Sequence, residues 1–190
     1  MQLRLYCFEV GHAFAVGPVT SAGRIAFVSV SGVLPGAGGI GAYDAECQAE
    51  ATTNGLPGTY LAAMATSSAT IASRFTGTQP WRRVDGTQVS ATGAAMFDGS
   101  DLLSFVNQQP NGQYVSVGSG SQRIWTGTNT AMTTGSNSST CSNWTSTNGG
   151  QGPGQGEANY ASQTGLWGAY RTGPGNGACT LTQPVLCLQQ

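Results

Sequence analysis

Gly41-Ala42-Tyr43-Asp44-Ala45-Glu46-Cys47-Gln48, followed by Gly55-Leu56-Pro57-Gly58-Thr59-Tyr60, is the stretch whose reading decides the fold. Ala42 to Asn54 reads as the best helix in the chain. Asp44, Glu46 and Glu50 favour its N-terminal half, Asn54-Gly55 stops it, and Pro57 follows. Tyr43 and Ala51 flank Cys47 at helical spacing, so the cysteine faces a core. Upstream, Arg24 to Leu34 alternates apolar and small polar residues and ends at Pro35-Gly36, the pattern of a strand; a glycine loop, Pro35 to Gly41, joins it to the helix. Downstream, Gly58 to Ala65 predicts a second strand, and Ser67 to Arg74 a short helix opened by a serine cap. Asp85-Gly86, between Arg82-Arg83-Val84 and Thr87-Gln88-Val89, predicts a hairpin.

From Gly112 onward the chain reads as strand and loop. Tyr114 to Val117, Arg123 to Thr126, Ser142 to Thr145 and Leu181 to Leu188 are the strand candidates. Ser146 to Gly177 reads as a 32-residue loop of Gly, Asn, Ser and Gln with Trp167 and Tyr170 inside it. Loops of that length in a compact domain are functional or disordered, and the aromatics argue against disorder. The fold class is therefore α+β: two short helices early, then a mostly antiparallel sheet with long loops.

Composition narrows the partners. The chain has 190 residues, 39% of them hydrophobic and 8% charged, with a formal net charge of −1. This is enough for one cored domain. Its 7 basic residues are all arginine, and they do not cluster as a grip on nucleic acid requires. Ala13 to Leu34, the most apolar stretch, is broken by Pro18 and Arg24, so no run suits membrane insertion. Met1 to Val16 does not read as a signal peptide, because Glu9 and His12 interrupt its apolar part. The sequence is thus expected to be a mature form or an excerpt of a tandem array.

The 5 cysteines stand at positions 7, 47, 141, 179 and 187, with no C-x-x-C pair and a single histidine. That set does not suit a zinc site; wide spacing in a Ser/Thr/Asn/Gly-rich chain suits disulfides formed outside the cytoplasm. One cysteine is left over. Leu5-Tyr6-Cys7-Phe8-Glu9 also echoes Val185-Leu186-Cys187-Leu188-Gln189, each placing a cysteine inside an apolar strand.

Taken in order, the helix block 41–48, the block 55–60, Ile124-Trp125-Thr126-Gly127-Thr128, Cys141-Ser142-Asn143-Trp144-Thr145, and Cys179 with residues 185–188 resemble an endostatin-like domain. That fold is a relative of the C-type lectin domain, and the match is closer to a bacterial endostatin-related family of unassigned function. The resemblance covers residues 23–190 and leaves 1–22 as an N-terminal extension. It implies two nested disulfides, Cys47 with Cys187 and Cys141 with Cys179, which leaves Cys7 unpaired. The family's last strand resembles Arg4 to Phe8 as well, so residues 1–9 are read as the tail of a preceding tandem copy or as a strand for a neighbouring subunit. Leu3, Leu5, Tyr6, Cys7 and Phe8 are then the assembly candidates, with Cys7 suited to an intermolecular disulfide.

Catalytic signals are sparse. His12 lies in the extension with no nucleophile motif around it, and Asp85, Asp98, Asp101 and Glu157 are scattered acids. Asp85 and Asp98 precede glycine in expected turns, and Asp101 suits a helix cap before Leu102-Leu103. Gln109-Pro110-Asn111 matches a lectin calcium triplet in residue type but lies far upstream of where that triplet belongs, and it reads as a turn. Trp125 and Trp144 read as core residues. Asn159, Gln163, Trp167, Tyr170 and Arg171 are the candidate ligand residues of the loop 146–177, with core pinning as the competing role of the two aromatics.

The expectation is a non-enzymatic extracellular or cell-surface module without metal or cofactor, self-associating through its N-terminal strand into a filament or tandem array. The alternative is a glycan- or protein-binding adhesin that uses loop 146–177. A carbohydrate-active enzyme is a third reading, resting on the scattered acids alone.

Overall fold

A computed structural model describes residues 22–36, 38–115, 123–160, 162–168, 170–171 and 178–190. The extension residues Leu3, Leu5, Tyr6, Cys7, Phe8 and His12 lie outside the described residues. The first strand, β1 (Arg24–Val28), is buried along its whole length. It is followed by α1 (Ile40–Thr53) and β2 (Tyr60–Ala62), then by a short β3 (Trp81–Arg82). The last strand, β7 (Leu186–Gln189), lies inside the four-stranded sheet, whose order is β2-β7-β1-β3. Only the β1/β3 pair is parallel in this sheet. A second, antiparallel sheet is built from β4 (Arg123–Trp125), β5 (Gly154–Glu157) and β6 (Tyr170–Arg171). The two sheets touch where Trp125 pairs with Val185, just before β7.

The period of two along these strands sends alternate side chains to two different apolar layers. Ile25 and Phe27 of β1, Tyr60 and Ala62 of β2, and Cys187 of β7 face α1, where Tyr43, Cys47 and Ala51 meet them. Ala26, Val28, Leu186 and Leu188 face the opposite layer, built around Trp81, Phe97, Ile124 and Trp167. With both faces covered, the strand that reads as Arg24 to Leu34 is regular only to Val28; beyond it, Ser29 and Val185 exchange hydrogen bonds and Val33 makes one isolated pairing with Gln183.

Two disulfides close the chain, Cys47–Cys187 and Cys141–Cys179, the pairing that the resemblance implies. They span 140 and 38 residues. On the chain-entropy account, loops of these sizes contribute roughly 5 and 4 kcal/mol.

The acids of α1 have a different use from the one expected. The helix starts at Ile40, so Asp44 falls in its second turn, away from the N-terminal dipole. Asp44 and Gln48, one turn apart, instead accept the outward N–H groups of β2: Ala62 N donates to Asp44 Oδ1 at 2.9 Å and Tyr60 N to Gln48 Oε1 at 2.9 Å. Arg74 completes the edge by donating to the Ala62 carbonyl at 2.9 Å and gripping both Asp44 oxygens. Glu50 accepts from Val30 N and Ser31 N, each at 2.8 Å. At the other side of the sheet, the Trp81 carbonyl accepts from Val89 N at 2.7 Å and Arg82 pairs with Gln88, which closes the expected hairpin around Asp85-Gly86.

Several sequence expectations are corrected. Ser67 to Arg74 forms only a tight turn, Ala72–Arg74, and Thr70 rather than Ser67 supplies the side-chain acceptor. Asp101 caps no helix, since Leu102 and Leu103 are not helical. Of the strand read at Tyr114, the described part makes one pairing, with Gln108. Ser142 to Thr145 is no strand either: Cys141–Trp144 form α2, a turn in which all four residues have φ between 49° and 66°. A left-handed turn of side-chain-bearing residues costs about 1–2 kcal/mol per residue. It is held by the Cys141–Cys179 bond, by Trp144 Nε1 donating to the Ala65 carbonyl, and by Ser67 N donating to Asn143 Oδ1. The loop read over 146–177 contains β5, then α3 (Gln163–Gly168), then β6.

We predict that Asp44→Ala lowers stability in urea by about 3 kcal/mol, because it strips both the β2 edge and the Arg74 guanidinium. Gln48→Ala, which frees one neutral bond, should cost about 1 kcal/mol. Equal losses in the two variants would show that the Arg74 pairing adds nothing.

Candidate functional site

The run Gly127 to Thr140 and the glycines ahead of β5 enclose a cleft of about 510 Å³. That volume falls within the range of small-ligand sites. It is lined by Thr128, Asn129, Thr133, Thr134, Ser136, Ser138 and Ser139, together with the bare backbone of Gly150, Gly152 and Gly154. Among the described residues, none that lines it is titratable.

The hydroxyls are held in a fixed pattern. Ser139 Oγ donates to the Gly127 carbonyl at 2.7 Å and accepts from Ser136 N at 2.8 Å. Thr128 and Thr133 hydroxyls share a bond of 2.7 Å, and Ser138 Oγ accepts from Gly152 N at 3.1 Å. The left-handed α2 turn stands behind this wall, with Gln151 Nε2 donating to Ser142 Oγ at 3.0 Å. Thr134 is exposed and Asn129 half-buried, and neither side chain has a hydrogen-bond partner among the described residues. A ligand hydroxyl entering the cleft therefore meets two unspent polar groups on a wall that needs no rearrangement.

Beside it lies a slot of about 240 Å³ with a different lining. Phe97, Ala131, Met132 and Trp167 form its apolar wall, and Asp98 and Gln163 stand at it with Asn129, which also borders the polar cleft. The aromatics are stacked in series, Phe75 on Phe97 at 5.9 Å and Phe97 on Trp167 at 6.0 Å. Asp98 is exposed, and hydrogen bonds from Ser100 hold its carboxyl below the usual range, so it is ionised at neutral pH.

The candidates read from the sequence scatter around these clefts. Trp167 is 1% exposed and belongs to the core, in keeping with its pinning role. Gln163 is spent internally: its Oε1 accepts from Gly99 N at 2.9 Å and its Nε2 donates to the Ala95 carbonyl at 2.7 Å. Asn159 is half-buried with its Oδ1 unpartnered, and it lines none of these clefts. Tyr170 and Arg171 form β6, and their side chains lie outside the described residues. Trp125 and Trp144 are both fully buried. Gln109-Pro110-Asn111 is a turn closed by Gly112 N donating to the Gln109 carbonyl, and the Asn111 side chain accepts from Gln113 N. Among the described residues no group of three His, Cys, Asp or Glu is placed to hold a metal ion. No helix among them is long and apolar enough to cross a membrane.

Asp85 binds inward as well. Burial pushes its carboxyl up, but donation from Thr87 N, Arg83, the Thr87 hydroxyl and Tyr114 outweighs this and lowers it to about 2. Gly150, Gly152 and Gly154 lie within the loop 146–177 that the sequence marks as a ligand loop, whereas the cleft residues of 128–139 were not singled out as ligand residues. Their signal was the density of Ser and Thr in 126–140, which the strand-and-loop reading passed over.

Two variants test this description of the interior. We predict that Trp167→Ala costs about 3–5 kcal/mol in chemical denaturation, as expected for removing a buried indole. Gln155 is fully buried on β5 opposite Trp125, with neither amide atom hydrogen-bonded. Replacing it by Met should raise stability by about 1–3 kcal/mol, since an orphaned buried amide carries that penalty; a loss instead would reveal a bound water or partner. No family model and no curated protein matches this sequence.

Proposed function

We propose that this chain is an exported, non-enzymatic binding module of the endostatin-like, C-type-lectin-like kind, and that its ligand is a neutral glycan held in the hydroxyl-lined cleft. The observation that carries the reading is that cleft: about 510 Å³, lined by Ser, Thr and Asn side chains and glycine backbone, with no acid or base among the described lining residues. Such a surface offers donors and acceptors to hydroxyls and nothing to transfer a proton at a scissile bond. Among the described residues, Arg24, Arg74, Arg82 and Arg83 all donate to groups of the protein itself rather than standing at the cleft. Two disulfides suit an oxidising compartment. The nesting of those disulfides around α1 and the last strand supports the fold assignment.

The self-assembling reading rests on Leu3, Leu5, Tyr6, Cys7 and Phe8, outside the described residues. Within the four-stranded sheet the final-strand position is filled by β7, and β2 and β3 are both answered on their outer sides. A visiting strand would therefore have to displace β7 to take that position in this sheet. The cleft is the better-supported basis for adhesion.

The test is a neutral glycan array followed by titration of a hit. Thr134→Val and Asn129→Ala should each weaken binding about fivefold, the worth of one neutral hydrogen bond of about 1 kcal/mol, with melting temperatures unchanged. Array binding by wild type that both variants retain in full would move the site elsewhere.

A further inference from the structure

We propose that the cleft continues past Asn129 into the apolar slot, and that the slot selects a sugar bearing an N-acetyl group. This rests on the glycan reading of the preceding section and adds the ligand's chemistry. Asn129 borders both spaces, so one ligand can occupy them together. The two linings ask for opposite things. The cleft presents hydroxyls and backbone; the slot presents Phe97, Ala131, Met132 and Trp167, with Asp98 beside them.

A ring carrying only hydroxyl groups matches the first space and is poorly served by the second, where hydroxyls pressed on an apolar wall lose water without replacement. A carboxylated sugar would set its charge against Asp98. An acetamido substituent meets both demands: its methyl packs on Phe97 and Met132, and its N–H has the Asp98 carboxylate as an acceptor. At roughly 30 Å³ for each water-sized group, the slot's volume of about 240 Å³ holds such a substituent together with the edge of the ring that bears it.

The slot is also preformed. Phe97 is 5% exposed and stacked between Phe75 and Trp167, and Gln163 ties Ala95 and Gly99 on either side of it to α3. Met132, by contrast, is 61% exposed at the mouth, a flexible apolar side chain able to close over a methyl group.

Chitotetraose and cellotetraose share one backbone and differ in the group on carbon 2, acetamido against hydroxyl. Titration calorimetry of the full chain should show chitotetraose binding at least about tenfold tighter, the scale of one apolar group in a fitted pocket. Met132→Asp, at an exposed position that leaves folding intact, should bring the two affinities close together, and Asp98→Ala should reduce their ratio. Thr134→Val should lower both affinities and keep the ratio. Equal affinities in wild type, or a preference that survives both Met132→Asp and Asp98→Ala, overturns the slot assignment and leaves the glycan reading standing. Binding of neither sugar overturns both.

Discussion

The bond between Cys47 and Cys187 is the constraint on which the rest of this structure depends. It joins the middle of α1 to a strand that lies inside the four-stranded sheet, and so fixes the helix over one sheet face. Once α1 is there, Asp44 and Gln48 stand beside β2 and Glu50 beside the end of β1. The helix thus acts as a third kind of neighbour, neither strand nor solvent, for backbone groups that would otherwise be unpaired. The second bond, Cys141–Cys179, works at shorter range and holds the left-handed turn that backs the polar cleft.

The first half of the fold was legible in the sequence because its signals are local. Tyr43, Cys47 and Ala51 at helical spacing, Asn54-Gly55 as a stop and Asp85-Gly86 as a hairpin turn all have conformational causes within a few residues. The roles of Asp44 and Gln48 had no such cause. They depend on a strand some fifteen residues away, and a helical acid reads by default as a dipole or solvent contact.

The second half misled for a physical reason. Glycine density reads as loop, but several of these glycines are small because something is pressed against them. A side chain at Gly156 would collide with the Leu166 carbonyl, and one at Gly165 with the Tyr160 ring. Close approach of β5, α3 and the 126–129 segment therefore selects glycine inside regular structure. The run read as a strand at Ser142 to Thr145 misled in the opposite way: Cys141 to Trp144 are held in a left-handed turn by tertiary bonds that no local signal announces. Trp167 was singled out on both of its possible roles, and only its burial decides between them. The cleft itself is assembled from 128–139 and from 150–154, the latter inside the loop read as a ligand loop, and only the meeting of the two segments in space reveals it.

The two answered edges of the four-stranded sheet have a consequence for the colloidal behaviour of the chain. With a net charge of −1 and 8% charged residues, copies of this domain repel one another weakly. Nearly neutral proteins with open strands fuse edge to edge when crowded. In the four-stranded sheet the outward N–H groups of Tyr60 and Ala62 on β2 are taken by α1 and the Trp81 carbonyl of β3 by its own hairpin, so at these two edges short-range hydrogen bonding replaces long-range repulsion as the barrier to cross-strand fusion. That barrier is insensitive to salt. A strand approaching either of these two edges meets the same barrier at ionic strengths where charge repulsion is screened.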